Sequence, residues 1–292
     1  MSIKISKSFY KTLKVFTTAI VVSSLLSCGG SKVAIEVGET QIDRNELIDW
    51  NGKRTGIDNP STSILVETAN EWIQNQALVD FLTGNGAVVE REDIEKARDQ
   101  LLASGLTDSD PRLDLYSEWQ AMRNFAAQGG PVVELAYEKN KDLLGHELCT
   151  SHILTGTLQE ALEVIQLLES GQEFEDLALT FSTDPGSGSQ GGYLGCVPLG
   201  AFVPSFERAV LGGLKFSKEL VGPVPSRFGF HVIRIDKVSP VQPIPFEAQS
   251  EGIFMSIMHL STLTREIDLD PRYGVWDSVI GQIIPVEVSE SL

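Results

Sequence analysis

A chain of 292 residues with 40 acidic and 23 basic side chains has a formal net charge of −17, which repels nucleic acid and anionic lipid and excludes a phosphate-backbone partner. Its composition, 42% hydrophobic and 22% charged, is that of an ordinary globular protein and excludes wholesale disorder. The length suits about two domains with buried cores.

In chain order, residues 1–27 read as a signal peptide. Lys4, Lys7, Lys11 and Lys14 precede an apolar run from Val15 to Leu26, too short for a comfortable membrane span. The sequence Leu25-Leu26-Ser27-Cys28-Gly29-Gly30 resembles a bacterial lipobox, in which cleavage precedes the cysteine and the thiol is lipidated. Lipidation is therefore expected at Cys28. The mature chain is expected to be exported and held at a bacterial membrane, in the cell envelope or periplasm, by acyl chains and without a transmembrane helix. Cys149 and Cys196 remain. Export permits a disulfide, but spacing pairs nothing, and the two are expected to stay unbridged.

From Ser31 to Leu144 the pattern is mostly helical. Val33–Val37 suits a short strand turning at Gly38, and Asp43-Arg-Asn-Glu46 suits a capping box. Leu65, Ala69, Trp72, Gln76 and Val79 step at three and four, predicting a helix from Ser61 to Leu82 stopped by Gly84. Similar periodicity predicts helices over Val89–Ala103, Leu113–Ala127 and Val132–Leu144, the last two separated by Gly129-Gly130-Pro131. No catalytic grouping stands here. The tryptophans suit either a core or a groove for unfolded chains.

At Gly145 the period changes. His146–Leu154 alternates as a strand, with His146, Leu148, Thr150 and His152 on one face and Cys149 on the other, which argues against a His-Cys-His metal cluster. Thr157-Leu-Gln-Glu160 suits a second capping box, followed by a helix burying Ala161, Val164, Ile165 and Leu168. Phe174, Leu177, Ala178 and Phe181 mark another short helix. The glycine-rich stretch Asp184-Pro-Gly-Ser-Gly-Ser-Gln-Gly-Gly192 lacks the Gly-Lys-Ser/Thr ending of a phosphate loop. Pro204–Leu211 suits a short helix, and Leu220–Pro225 and Phe230–Lys237 two last strands. Beyond them a helix from Phe246 to Arg265 is expected, then Ile267-Asp-Leu-Asp-Pro-Arg-Tyr-Gly-Val-Trp276, then an acidic tail with a strand near Ile280–Val286 to which no role is assigned.

The block 145–240 resembles the parvulin family of peptidyl-prolyl isomerases. The matching motifs are Ser151-His-Ile-Leu154, Gly171-x-x-Phe174-x-x-Leu-Ala178, Phe181-Ser-x-Asp184, Gly191-Gly-x-Leu-Gly195, Phe202-Val-Pro-Ser-Phe-Glu207 and Gly222-Pro-Val, closed by Phe228-Gly-Phe-His-Val-Ile233. They stand in family order with family spacing. The wider layout resembles exported parvulin foldases of the SurA and PrsA type. That resemblance implies an α+β chain: a small, mainly antiparallel four-stranded sheet surrounded by helices, inserted in a mostly helical chaperone-like module. The expected divisions are a lipoprotein signal peptide (1–27), a helical region (28–144), the isomerase domain (145–240), and a C-terminal helix and strand segment (241–292) able to pack on the helical region.

The resemblance also implies a site. Leu194, Phe202 and Phe206 would form a proline pocket with Phe228 at its rim. His152 and His231 would lie on adjacent central strands, bonded to each other or through Ser226, which stands where threonine is frequent. Asp184, at a position that is cysteine in some relatives, would face the substrate amide and tune the histidines; capping a turn before Pro185 is the other reading. Tyr193 replaces a family aspartate, and Cys196 and Val197 stand where aromatics are common. The stretch Thr155-Gly-Thr-Leu-Gln lacks the basic cluster of phosphate-directed members, so a phosphoserine-proline substrate is disfavoured. Neither cofactor nor metal is implied. The expected partners are unfolded or partly folded exported polypeptides containing X-Pro bonds, and the membrane through the lipid. Two functions stay open: an isomerase assisting the folding of exported proteins, or a holdase chaperone with a silent isomerase domain. The sequence sets no oligomeric state and names no client.

Overall fold

Strand β1 (Val33–Val37) turns back at Gly38, whose φ of 57° suits glycine, into β2 (Thr40–Asp43). Asp43 then starts α1 (Arg44–Thr55): its carboxylate accepts from the N–H groups of Asn45 and Glu46, while the Glu46 carboxylate accepts from the N–H of Asp43. In the computed structural model the described residues are 33–57, 60–249 and 252–284. The expected signal peptide, Cys28 and the end of the tail (285–292) lie outside them.

Helices α2 (Thr62–Thr83), α3 (Arg91–Ala103) and α4 (Leu113–Gln128) follow the predicted periodicity. The fourth predicted helix is shorter than its apolar pattern. Helix α5 (Pro131–Glu138) ends where the Asn140 side chain donates to the carbonyl of Ala136, and a separate 3-10 turn, Lys141–Leu144, carries Leu144 into the core. Trp50, Trp72 and Trp119 are buried with Ile35, Leu47 and Ile73, and Trp276 packs against them, so the tryptophans belong to a core. Trp50 meets Trp119 and Tyr116 edge to face at 5.6 and 5.4 Å.

The middle of the chain is an antiparallel sheet in the order β4-β3-β6-β5. It is built from β3 (His146–Thr155), β4 (Tyr193–Val197), β5 (Leu220–Ser226) and β6 (Gly229–Pro240). Alternation divides its faces. Ile153 and Val232 pack under α6 (Leu158–Glu169) and α7 (Phe174–Phe181). Leu148, Val221 and Ile233 pack under α8 (Pro204–Phe216), which runs past the predicted end at Leu211. The expectation of unbridged cysteines is overturned: Cys149 and Cys196 form a disulfide. Chain spacing hid this, because the pairing comes from the β3–β4 register, which sets the two residues directly opposite.

Past the sheet the chain returns to its beginning. The helix predicted from Phe246 is broken: a 3-10 turn (Phe246–Ala248) precedes α9 (Ile253–Thr264), and at the break the Gln249 side chain donates to the carbonyl of Ile244 and accepts from Ser256. Helix α9 packs on α2, α4 and α5 through Ile253, Ile257, Leu260 and Leu263. Strand β7 (Ile267–Leu269) then pairs with β1, completing a sheet of order β2-β1-β7. A hairpin of β8 (Val275–Asp277) and β9 (Gln282–Ile284) follows, and β9 lies in the stretch to which no role was assigned. It is structural: Gln74 donates to the carbonyl of Gly281, and the N–H of Ile283 donates to Asn70.

Helix α8 is fastened to this C-terminal segment. The buried Arg208 guanidinium donates to the hydroxyl and carbonyl of Thr262 and to the carbonyls of Ser278 and Val279, at 2.6 to 3.2 Å. Burial lowers its pKa to about 10, with Asp277 acting in the opposite sense. Gly212 lets the Val279 backbone approach so closely that a Cβ would lie 2.0 Å from its carbonyl oxygen.

Candidate active site

Two adjacent strands bring the site together. In the β3–β6 register His152 faces Ile233 and Leu154 faces His231, so the two histidines are diagonal neighbours on one face of the sheet. Their rings are tilted by 24° with centroids 5.2 Å apart, and Nδ1 meets Nδ1 at 3.0 Å. The contact is direct, and Ser226 lies at its far end: its Oγ is 2.7 Å from His231 Nε2 and accepts the N–H of Phe228. At the other end His152 Nε2 is 3.0 Å from Asp184 Oδ2. Asp184, His152, His231 and Ser226 thus form one continuous hydrogen-bonded row.

The direction of the row follows from its first member. An ionised carboxylate only accepts, so His152 donates through Nε2. With His152 neutral, its Nδ1 accepts from the N–H at His231 Nδ1. His231 Nε2 is then an acceptor and takes the Ser226 O–H. Every member is satisfied with both rings neutral. For His231 the electrostatics agree. Burial, with His152 alongside and Asp184 opposing, pushes His231 down to about 4. Burial raises the Asp184 carboxyl, but hydrogen bonds from Ser187, His152 and the Gly186 N–H outweigh it and hold the group well below the usual carboxylate range.

Asp184 serves both readings drawn from the sequence. It accepts from the N–H groups of Gly186 and Ser187 and from the Ser187 hydroxyl, capping the turn at Pro185, while it also holds His152. Ser187, buried against it, was missed, although the spacing Asp184-Pro-Gly-Ser187 is itself a turn signal. Gly192 secures the same corner: the N–H of His152 donates to its carbonyl, and a Cβ there would lie 2.4 Å from the His152 carbonyl oxygen.

Above this row lies a cleft of about 980 Å³. Its lining includes all eight residues singled out in the sequence, namely His152, Asp184, Leu194, Phe202, Phe206, Ser226, Phe228 and His231, together with Leu154, Pro185, Ala201 and Arg227, which were not foreseen. Phe206, 2% exposed, presents its ring nearly edge-on to both imidazoles, with centroids 5.9 Å from His152 and 5.5 Å from His231. Phe202 leans on Phe206 at 4.6 Å and stays partly exposed. Phe228 is 55% exposed at the rim, with the Arg227 guanidinium 4.8 Å from its ring centroid. Apolar side chains flank the nearly buried histidines in the lining, which suits desolvation of a neutral group such as an amide. Among the described residues, the one group close enough to share a metal ion is Glu147, Cys149 and Cys196, whose sulfurs are joined to each other. No helix among the described residues is long and apolar enough to cross a membrane.

Residues 151–239 match the family model described as the PPIC-type PPIase domain. Over 255 residues the chain is 26% identical to foldase protein PrsA 2 of Listeria monocytogenes, covering 83% of this chain and 80% of that protein. Over 113 residues it is 37% identical to a probable parvulin-type peptidyl-prolyl cis-trans isomerase of Bordetella pertussis, covering 38% of this chain and 43% of that one. Among solved structures, the peptidylprolyl isomerase PrsA of Bacillus anthracis is 25% identical and covers 65% of this chain and 87% of that one, with a TM-score of 0.33.

Proposed function

Residues 151–239 are a PPIC-type peptidyl-prolyl isomerase domain, and from that premise we propose that the cleft over His152 and His231 is where the chain twists the X-Pro bond of its clients. The observation that carries this reading is the row Asp184–His152–His231–Ser226 roofed by Phe206 and Phe202.

The chemistry asks for no bond cleavage. Rotation about a peptide bond is opposed by about 18–20 kcal/mol of resonance, and uncatalysed X-Pro exchange takes tens of seconds. At the twisted geometry the amide nitrogen loses conjugation and the carbonyl carries less negative charge. A preference of about 4 kcal/mol for that state gives roughly a thousandfold acceleration. In this reading Leu194, Phe202 and Phe206 grip the proline ring and take the amide out of water, with Phe228 closing over the residue beside it. His152 and His231 act as a fixed, neutral dipolar floor oriented by Asp184 and Ser226, which needs no reorganisation as the amide turns. None of the four is a covalent nucleophile.

The similarity to a foldase supports clients that are unfolded or partly folded exported polypeptides. The lipobox-like sequence at Cys28 supports attachment of the exported chain to the membrane by acyl groups, with residues 28–144 and 241–292 together forming a chaperone-like region around the isomerase block 145–240. A holdase role for that region is the second reading. It is favoured by a cleft of about 770 Å³ between the two parts, walled by Leu144, Leu199, Ile244 and Met255.

The deciding experiment is a protease-coupled isomerisation assay of the full chain on a short X-Pro peptide, beside a proline-limited refolding reaction. Acceleration of both supports the isomerase. A folded chain that prevents aggregation but accelerates neither assay would leave the holdase reading.

A further inference from the structure

We propose that Glu207 is a positioning residue for the proline pocket, acting through Phe202. This inference rests on the isomerase reading of the cleft. Glu207 sits in the first turn of α8, one residue after Phe206, and is 4% exposed. A carboxylate so deeply buried must be satisfied by specific partners. Its Oε1 accepts two backbone N–H groups, from Gly200 at 2.7 Å and Phe202 at 3.0 Å. These are the bonds that shape the loop between β4 and α8: among the described residues, no backbone hydrogen bond from positions 198–202 reaches another strand or helix. The Phe202 ring, which leans on Phe206 over the histidines, is therefore placed by a side chain that does not itself line the cleft.

The other carboxylate oxygen points the opposite way. Oε2 lies 3.6 Å from Nε2 of His259 on α9, a residue 5% exposed whose Nε2 has no hydrogen-bond partner. Glu207 and His259 both face the cleft between the isomerase block and the helical part, and Phe202 and Pro204 line that cleft as well as the one above the histidines. One loop is thus the shared wall of two spaces, and Glu207 fixes where the wall stands. Helix α9 reaches the pocket through this carboxylate, without touching the substrate.

Two substitutions separate reach from charge. Glu207→Asp keeps the charge but is one methylene too short to hold both N–H groups; Glu207→Gln loses the charge but keeps an amide oxygen at the place of Oε1. Because Phe202 grips the proline ring in the planar and twisted states alike, its misplacement weakens uniform binding. On the full chain with a short X-Pro peptide, Glu207→Asp is expected to raise KM about tenfold with kcat changed by no more than about twofold, and Glu207→Gln to return KM to within about twofold of the parent. A 19F label at Phe202 reads the same displacement without turnover: its resonance shifts and broadens in Glu207→Asp and stays sharp in Glu207→Gln. The inference is overturned if Glu207→Asp keeps the parent's KM and label spectrum, if Glu207→Gln is as impaired as Glu207→Asp, or if kcat falls while KM holds. If the parent chain itself accelerates nothing, the isomerase reading fails, and the label still decides whether Glu207 sets the loop.

Discussion

His152 and His231 meet nitrogen to nitrogen, Nδ1 to Nδ1 at 3.0 Å, and neither ring keeps a free nitrogen for an incoming group, since Asp184 and Ser226 take the outer ones. Two imidazoles in this arrangement share one N–H, and protonating both of them would set two donors against each other.

The first prediction concerns acid. The folded state holds His231 near 4, against 6.5 for the free side chain, so the unfolded chain takes the proton first. The contribution to stability is complete well above pH 6.5 and is lost as the pH falls toward 4, amounting to roughly 3 kcal/mol for a shift of this size. Urea unfolding at pH 7, 5.5 and 4 should show the decline. His231→Gln, which cannot titrate, should flatten it.

Phe202→Ala should separate activity from stability. The ring is only partly buried, at the edge of the core, so its loss should cost less folding free energy than that of the fully buried Phe206. Steady-state assays should show kcat/KM on an X-Pro peptide reduced about tenfold or more. Phe206→Ala is a poorer probe. Its buried ring packs on both imidazoles, and truncation should cost about 3–5 kcal/mol of stability as well as activity.

Asp184→Ala should leave the His152 Nε2–H and the N–H of Ser187 without their acceptor and free the histidine pair to reverse its direction. A fall of about tenfold in kcat/KM is expected, with a change in the imidazole 15N shifts that reports the tautomer. If the shifts stay as in the parent, the carboxylate does not set the direction of the row.

Gly212→Ala places a methyl carbon 2.0 Å from the carbonyl oxygen of Val279, and backbone on both sides must move. A loss of about 2–4 kcal/mol is expected from this overpacking. It would be seen as a lowered Tm, with little effect on turnover of a short peptide at temperatures where the chain stays folded.

Reduction of Cys149–Cys196 should destabilise without silencing. The bridge spans 47 positions of sequence, for which loop-closure entropy gives roughly 4 kcal/mol. Cys149 alternates away from the face that carries His152, so the reduced protein should keep its turnover while its urea midpoint falls.

What the sequence revealed, and what it concealed, follows from the range of the interactions. Capping boxes at Asp43 and Thr157 and the three-and-four spacing of α2 are local, and they reappear in the structure as written. The residues of the candidate cleft were legible because ordered motifs carry them, and the two histidines among them meet because β3 and β6 are adjacent. The disulfide, the Arg208 clasp and the Glu207 bonds were illegible: each depends on register or on packing between segments far apart in sequence, and a lone Arg or Glu in a helix reads as a solvated face. The strand expected in the tail appears as β9, but its packing was hidden for the same reason. Its Ile280 and Ile283 are buried only because α8 and α2 are there to cover them.

Strand β1 finds one neighbour at once, in β2, and the other only in β7, after the entire block from His146 to Pro240 has been made. A chain delivered from its N-terminus therefore exposes an open sheet edge and the uncovered flanks of α2 and α4 until its last helix arrives. During that interval this protein is itself an incompletely folded polypeptide. A helper of folding built this way passes through the condition it relieves in others, and its own assembly is completed from the carboxyl end.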